Sequence, residues 1–281
     1  MKTVVITGGT DGIGRALASE LLGEGATVIV VGRNPAKGRD FLTAADKAGS
    51  ADRARFVTAD LSLLAETEKA VAEIRAEIPV VDALVLCARH YRSRRTVTSE
   101  GLEENFALFY LSRRLFGQGL ADALAAAEAP VVVNVAGPGA PLDIVRWDDL
   151  QLRHGYHGGA ALGQGGKLND LLGIAFSERH GGRGIRYVLV HPGVTATGFS
   201  GEYDQATLPH IRSMQAGAKP VSAALPPILS AIERPPAAAL SAFVEGRELD
   251  VSGPDFDPAA ARRLEALTER LLAARRDVRS R

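Results

Sequence analysis

Five-residue apolar runs recur along the chain and fix what it can fold into: "TVVIT" (Thr3 to Thr7), "TVIVV" (Thr27 to Val31), "RFVTA" (Arg55 to Ala59), "ALVLC" (Ala83 to Cys87), "VVVNV" (Val131 to Val135) and "RYVLV" (Arg186 to Val190). Each is nearly continuous in apolar residues, as strands covered on both faces are. Between them lie stretches such as "RALASELLGEG" and "AETEKAVAEIRAEI", with apolar residues three and four apart. Strands alternating with helices predict βαβ units and a mostly parallel, doubly wound α/β sheet of the Rossmann type. No repeat or linker interrupts the pattern, so residues 1–281 are expected to form a single domain. "DPAAARRLEALTERLLAARRD" predicts a closing helix over 257–275, with Asp257 as N-cap and Pro258 in its first turn.

Composition excludes several partners. Lys plus Arg equals Asp plus Glu at 33 each, so no net field recruits nucleic acid or an anionic membrane. The single cysteine, Cys87, has no partner for an internal disulfide, and the N-terminal apolar run breaks into glycines too soon for a signal peptide or a span. A cytoplasmic protein is expected. No His, Cys and carboxylate cluster has metal-ligand spacing, so no metal is expected.

"TGGTDGIG", Thr7 to Gly14, carries the first chemistry. Following an apolar strand, Gly8 permits a tight turn, Gly12 lets backbone approach a pyrophosphate, and Gly14 lets a helix pack closely on the strand. Thr10, Asp11 and Ile13 belong to the same cofactor-binding turn, where an anion would rest on amides at a helix N-terminus. After the second run, where an NAD-selective protein would carry an acid, stand Gly32 and Arg33. A guanidinium there suits a 2′-phosphate, so NADP(H) is the expected cofactor, although Asp11 opposes it.

With "ADLSLL", "VDALVLCAR", "EGLEENFALFYLSRRLF", "VVVNVAG", "KLNDLL" and "HPGVTATGF" added, nearly the whole chain resembles the short-chain dehydrogenase/reductases, in the branch of retinol dehydrogenases and protochlorophyllide reductases. The resemblance implies that Asp60 and Leu61 hold the adenine, Ala88 flanks the ribose and Lys167 binds the nicotinamide ribose. It implies that Pro192, Gly193, Val194 and Thr197 shape the carboxamide site, and that 199–220 covers the substrate. A homodimer or homotetramer through the fourth and fifth helices is usual for the family, yet Arg113 and Arg114 add charge to the fourth.

The departures are the informative part. Cys87 and Arg89 replace an asparagine and a glycine of the family's pattern, Phe109 takes the slot of the active-site asparagine, and Gly137 that of the serine. In "ALGQGGKLNDLL" the tyrosine slot falls on Gly163, or on Leu162 if one residue has been inserted. Only Lys167 survives of the catalytic set. Gly163, Gly165 and Gly166, each costing about 1 kcal/mol in a helix, mark drift in a lost site or make room for a bulky ligand or an approaching backbone. Tyr156, in "RHGYHGG" with His154 and His157, is the candidate replacement donor, though it also matches a tyrosine without a catalytic role in this branch. His90, Tyr91 and Tyr110 are further candidates.

General acid catalysis contributes about a hundred- to ten-thousandfold, whereas holding the reactants in register supplies roughly 7 to 11 kcal/mol. Hydride transfer therefore survives loss of the tyrosine. The expected activity is an atypical NADPH-dependent reduction of a bulky, aromatic polyketide-type ketone, with the proton drawn from substrate or water. The alternatives are a non-redox cyclase, dehydratase or isomerase on the same fold, or a non-catalytic binding protein.

Overall fold

The structure is a computed structural model, and it describes residues 1–199 and 201–279. Ser200, inside the expected cover over 199–220, lies outside the described residues. The strands are β1 (Thr3–Thr7), β2 (Thr27–Gly32), β3 (Ala54–Thr58), β4 (Ala83–Leu86), β5 (Tyr91–Arg92), β6 (Val131–Val135), β7 (Arg186–His191), β8 (Gly201–Glu202), β9 (Leu240–Val244) and β10 (Arg247–Leu249). The helices are α1 (Gly12–Gly23), α2 (Pro35–Lys47), α3 (Leu64–Glu77), α4 (Glu104–Phe106), α5 (Ser112–Gly119), α6 (Ala121–Ala125), α7 (Gly158–His180), α8 (Leu208–Ala216), α9 (Leu225–Glu233) and α10 (Pro258–Arg279).

Eight strands form one sheet in the order β10-β9-β7-β6-β4-β1-β2-β3, parallel except for the β9–β10 pair. β1 is central: Val4 pairs with Val28 on one side and Ala83 on the other. The chain winds outward from β1 in both directions, which opens a crevice beyond the carboxyl ends of β1 and β4, where such sheets bind ligands. The apolar runs build this sheet because both faces are covered. α1, α2 and α9 pack Leu17, Phe41 and Ile228 on one face, and α3, α5 and α7 pack Ile74, Phe116 and Leu171 on the other.

All six expected strands are present, with β3 shifted by a residue, β4 trimmed by one, and β2 and β7 each one residue longer. The β9–β10 hairpin was not expected. It turns through Glu245 (φ 50°) and Gly246 (φ 80°), the left-handed pair of a tight hairpin, and β10 is too short to register as an apolar run. β5 and β8 form a separate two-stranded ribbon that ties the segment after Arg89 to the segment after Phe199.

A π-helical turn, Ala107–Leu111, joins α4 to α5. The Phe109 carbonyl in that turn accepts from Asn169 Nδ2 of α7 at 2.7 Å, which supplies the partner the wider turn gives up. α10 begins as expected, with Asp257 Oδ1 accepting from the Ala259 amide at 2.8 Å, and runs to Arg279 rather than ending near 275.

Candidate active site

A cleft of about 520 Å³ opens at the carboxyl ends of β1, β2, β4, β6 and β7. Its outer end is the turn between β1 and α1. Gly8 (φ 70°) and Gly12 (φ 50°) take left-handed conformations there. A Cβ on Gly14 would lie 2.5 Å from the Gly8 carbonyl oxygen, and one on Gly12 would lie 2.9 Å from Thr197 Cγ2. The glycines thus keep a shallow cradle open at the N-terminus of α1, the shape and polarity that a pyrophosphate requires.

Gly8, Thr10, Asp11, Gly12, Ile13, Gly14, Arg33, Asp60, Leu61, Ala88, Pro192, Gly193, Val194 and Thr197 all line this cleft. Sequence reasoning brought these residues to one place from five separate stretches of the chain. Asp11, whose charge opposed a phosphate, is ion-paired with Lys37 of α2, and that bond holds its carboxyl below the usual range. With Lys37 paired to Asp11, Arg33 is the cation that remains on this rim among the described residues that line the cleft there. Asp60 is engaged locally, accepting from the Ser62 amide at 2.9 Å and its hydroxyl at 2.7 Å.

The two catalytic candidates are elsewhere. Lys167 is fully buried below the cleft, its Nζ bound 2.8 Å from Asp170 Oδ2 and 3.1 Å from the Asp255 carbonyl, with the Phe256 ring 5.0 Å away. The expected contact of Lys167 with a ribose is therefore corrected: a buried carboxylate one helical turn on holds the ammonium away from the cleft. Tyr156 does not line the cleft either. Its hydroxyl donates to the Arg92 carbonyl at 3.2 Å, and burial pushes its phenol further up, away from donating a proton.

On α7 the residues that face the cleft or its floor are Leu162 and Gly166, one turn apart. Leu162 lines the cleft, and a Cβ on Gly166 would stand 3.1 Å from the Gly137 carbonyl oxygen. Gly163 points instead toward Ile144, 3.8 Å from where its Cβ would be. A Cβ on Gly165 would fall 2.6 Å from the Phe109 ring. The helical glycines therefore admit a neighbouring backbone and ring; they do not widen the cleft for a ligand.

Sequence reasoning missed His191, which lines the inner end. Its position just before Pro192 and Gly193 was the available signal. Its Nδ1 accepts from the Gly193 amide at 2.8 Å, and burial, with Arg89 next in effect, holds the imidazole below its usual pKa. Cys87 also lines the cleft, but burial pushes its thiol up to about 12, so it is no nucleophile. Phe199, Tyr203 and Met214 close the cleft from the segment expected to cover it.

Residues 2–141 match the family model described as short chain dehydrogenase. The chain is 30% identical over 198 residues to the provisionally named daunorubicin C-13 ketoreductase DnrU of Streptomyces sp. (strain C5), covering 70% of this chain and 67% of that protein. This chain belongs to the short-chain dehydrogenase family. It is also 28% identical to oxidoreductase AN1596 of Emericella nidulans, covering 69% of this chain and 59% of that protein, and 30% identical to mouse retinol dehydrogenase 13, covering 70% and 59%. The chain thus spans about three-fifths to two-thirds of the length of the curated relatives it matches. Among solved structures, a short-chain dehydrogenase of Streptomyces avermitilis superposes with a TM-score of 0.64 at 20% identity, covering 99% of this chain and 95% of that one. One of Burkholderia cenocepacia J2315, in complex with NADP, superposes at 0.67 with 20% identity, covering 87% and 96%. The short-chain dehydrogenase fold accounts for the sheet order and for the crevice. Among the described residues, no helix is long and apolar enough to cross a membrane, and no group of His, Cys, Asp and Glu is arranged to hold a metal ion.

Proposed function

We propose that this oxidoreductase is an NADPH-dependent ketoreductase acting on a bulky, aromatic polyketide-type ketone. The observation that carries the reading is the continuity of one cleft from the glycine cradle and Arg33 to the inner wall of Gly137, Leu162, Arg89 and His191. Gly8, Gly12 and Gly14 would admit the pyrophosphate, Arg33 the 2′-phosphate, Asp60 and Leu61 the adenine, and Pro192 to Val194 with Thr197 the carboxamide. When bound, NADPH supplies a hydride to the carbonyl carbon. The chain's residues align the ketone and exclude water around it, and a proton from substrate or water completes the alcohol. Lys167 serves the fold, and neither Leu162 nor Gly163 has a proton to give. The likeness to a relative named for daunorubicin ketoreduction supports the substrate class.

The test is transfer of deuterium from 4-deuterated NADPH into products from a panel of aromatic polyketide ketones, read by mass. A product two hydrogens heavier and carrying the label supports the reading. A product of unchanged mass transfers the cleft to a cyclase or isomerase, and loss of water to a dehydratase.

A monomer is favoured over the family's dimer or tetramer. α10 lies along α5 and α7, where Arg114 makes a bidentate pair with Glu265 (2.7 and 3.1 Å), Arg262 pairs with Glu178 (3.0 Å), and Tyr110 bonds Thr268 (2.8 Å). Light scattering is expected to give the mass of one chain.

A further inference from the structure

The cleft is electrically lopsided. The acids that line it, Asp11 and Asp60, stand at the outer end and are engaged by Lys37 and Ser62. At the inner end stands Arg89, and among the described residues no carboxylate or hydrogen-bond acceptor engages it. Beneath it lies a second guanidinium, Arg113, donating to the Ala88 carbonyl at 3.1 Å and the Val135 carbonyl at 3.0 Å, again without a carboxylate. Burial pulls Arg113 down to about 10, the mark of a cation whose surroundings do not neutralise it. Arg113 is held by these carbonyls and by Asn134 Oδ1, whereas Arg89 is exposed to the cleft and free to meet a ligand's negative charge.

His191 completes the arrangement. Because its Nδ1 accepts the Gly193 amide proton, the neutral imidazole carries its hydrogen on Nε2. Its Cδ2 edge lies 3.7 Å from where a Cβ of Gly137 would stand, at the position where the resemblance placed a carbonyl-holding serine. The other charged groups around it are Arg89, Glu245 and Lys219, of which the last two pair with each other.

We propose that Arg89 and the Nε2–H of His191 form an oxyanion site at the inner end of the cleft, which receives the negative charge that develops on the substrate oxygen. This rests on the ketoreductase reading and deepens it. As hydride reaches the carbonyl carbon, the C=O π pair moves onto oxygen. Arg89 and His191 hold that alkoxide until a proton from water or substrate closes it to the alcohol, with the ketone reduced and NADPH oxidised. A guanidinium and an anchored imidazole N–H beside the reacting oxygen stabilise such charge, and they need not give up a proton to do so. The positions emptied of serine and tyrosine are thereby replaced by neighbours at the same end of the cleft. The substrates selected are those whose reacting oxygen becomes strongly anionic, such as ketones conjugated to phenols or enols.

The probe is 4-nitrophenol, titrated by absorbance into the NADP-loaded protein. The wild type is expected to bind phenolate at least tenfold more tightly than phenol. Arg89→Met should lose that preference about tenfold or more, Arg89→Lys should retain part of it, and His191→Phe should lose several-fold, while NADPH affinity followed by fluorescence stays unchanged. Equal binding of phenol and phenolate, or an undiminished preference in Arg89→Met, overturns the site. If the wild type binds no NADPH, the ketoreductase reading fails by itself, and the same phenolate titration on the ligand-free protein still decides the oxyanion site.

Discussion

Lys167 Nζ lies 2.8 Å from Asp170 Oδ2, one turn along α7, and neither side chain is exposed at all. By resemblance to the family this lysine reads as catalytic in the sequence, yet here it is half of a buried ion pair. Removing one partner of such a pair leaves an uncompensated charge and costs about 3–5 kcal/mol. Lys167→Met is therefore expected to lower unfolding stability by about that amount in urea while leaving NADPH affinity within roughly threefold of wild type. A variant that stays stable but loses cofactor binding would return Lys167 to the cleft.

Burial, only partly opposed by Lys167, raises the Asp170 carboxyl from 3.8 to about 6. The folded protein then holds this proton more tightly than the unfolded chain. Asp170's contribution to stability is fully present below about pH 4 and is lost as pH rises through about 6. Carbon NMR of a 13C-labelled aspartate pool should show one carboxyl titrating near pH 6, absent in Asp170→Asn.

Arg33 stands at the rim with Lys37, whose charge is spent on Asp11. A charge-assisted contact from Arg33 to a 2′-phosphate is worth about 1.5–3 kcal/mol. Calorimetry is expected to show Arg33→Ala losing roughly ten- to a hundredfold in NADPH affinity with NADH affinity unchanged. Equal losses for both cofactors would mean that Arg33 does not read the phosphate.

The two candidate tyrosine slots differ in direction. Leu162 lines the cleft, whereas Gly163 faces Ile144. Restoring a general acid is worth about a hundred- to ten-thousandfold. Leu162→Tyr is accordingly expected to accelerate reduction of a simple aryl ketone by about a hundredfold or more, and Gly163→Tyr to give no gain. Turnover followed by NADPH absorbance distinguishes them.

The six apolar runs and the glycine turn were legible because their signals are local: strand periodicity, and a backbone conformation that glycine alone adopts readily. β9 and β10 were not, since their pairing depends on a left-handed turn at Glu245 and Gly246 closing onto a distant β7. At the cofactor end the glycine turn and Arg33 were legible for local reasons, whereas Asp60, Leu61, Ala88, Pro192, Gly193, Val194 and Thr197 were placed there by resemblance to the family, and all of these line the cleft. The inner end was misread at Lys167 because a one-residue step on a helix rotates a side chain by about 100°, and sequence spacing alone did not say which of Leu162 and Gly163 faced inward. His191 was missed because its role depends on what it faces across the cleft, which no spacing encodes.

Gly165 and Phe109 are shaped to each other, a notch on α7 and a ring from the π-helical turn that fills it, with a Cβ at Gly165 falling 2.6 Å from that ring. Neither position is free to change alone. An alanine at 165 collides with the ring, while an asparagine at 109 leaves the notch empty and also strips Arg113 of the aromatic face 4.4 Å from its guanidinium. The penalties of the two single substitutions should therefore exceed that of the pair together, by an amount a double-mutant cycle reads directly. A route back to the family's usual active site is closed to stepwise substitution and open only to paired ones.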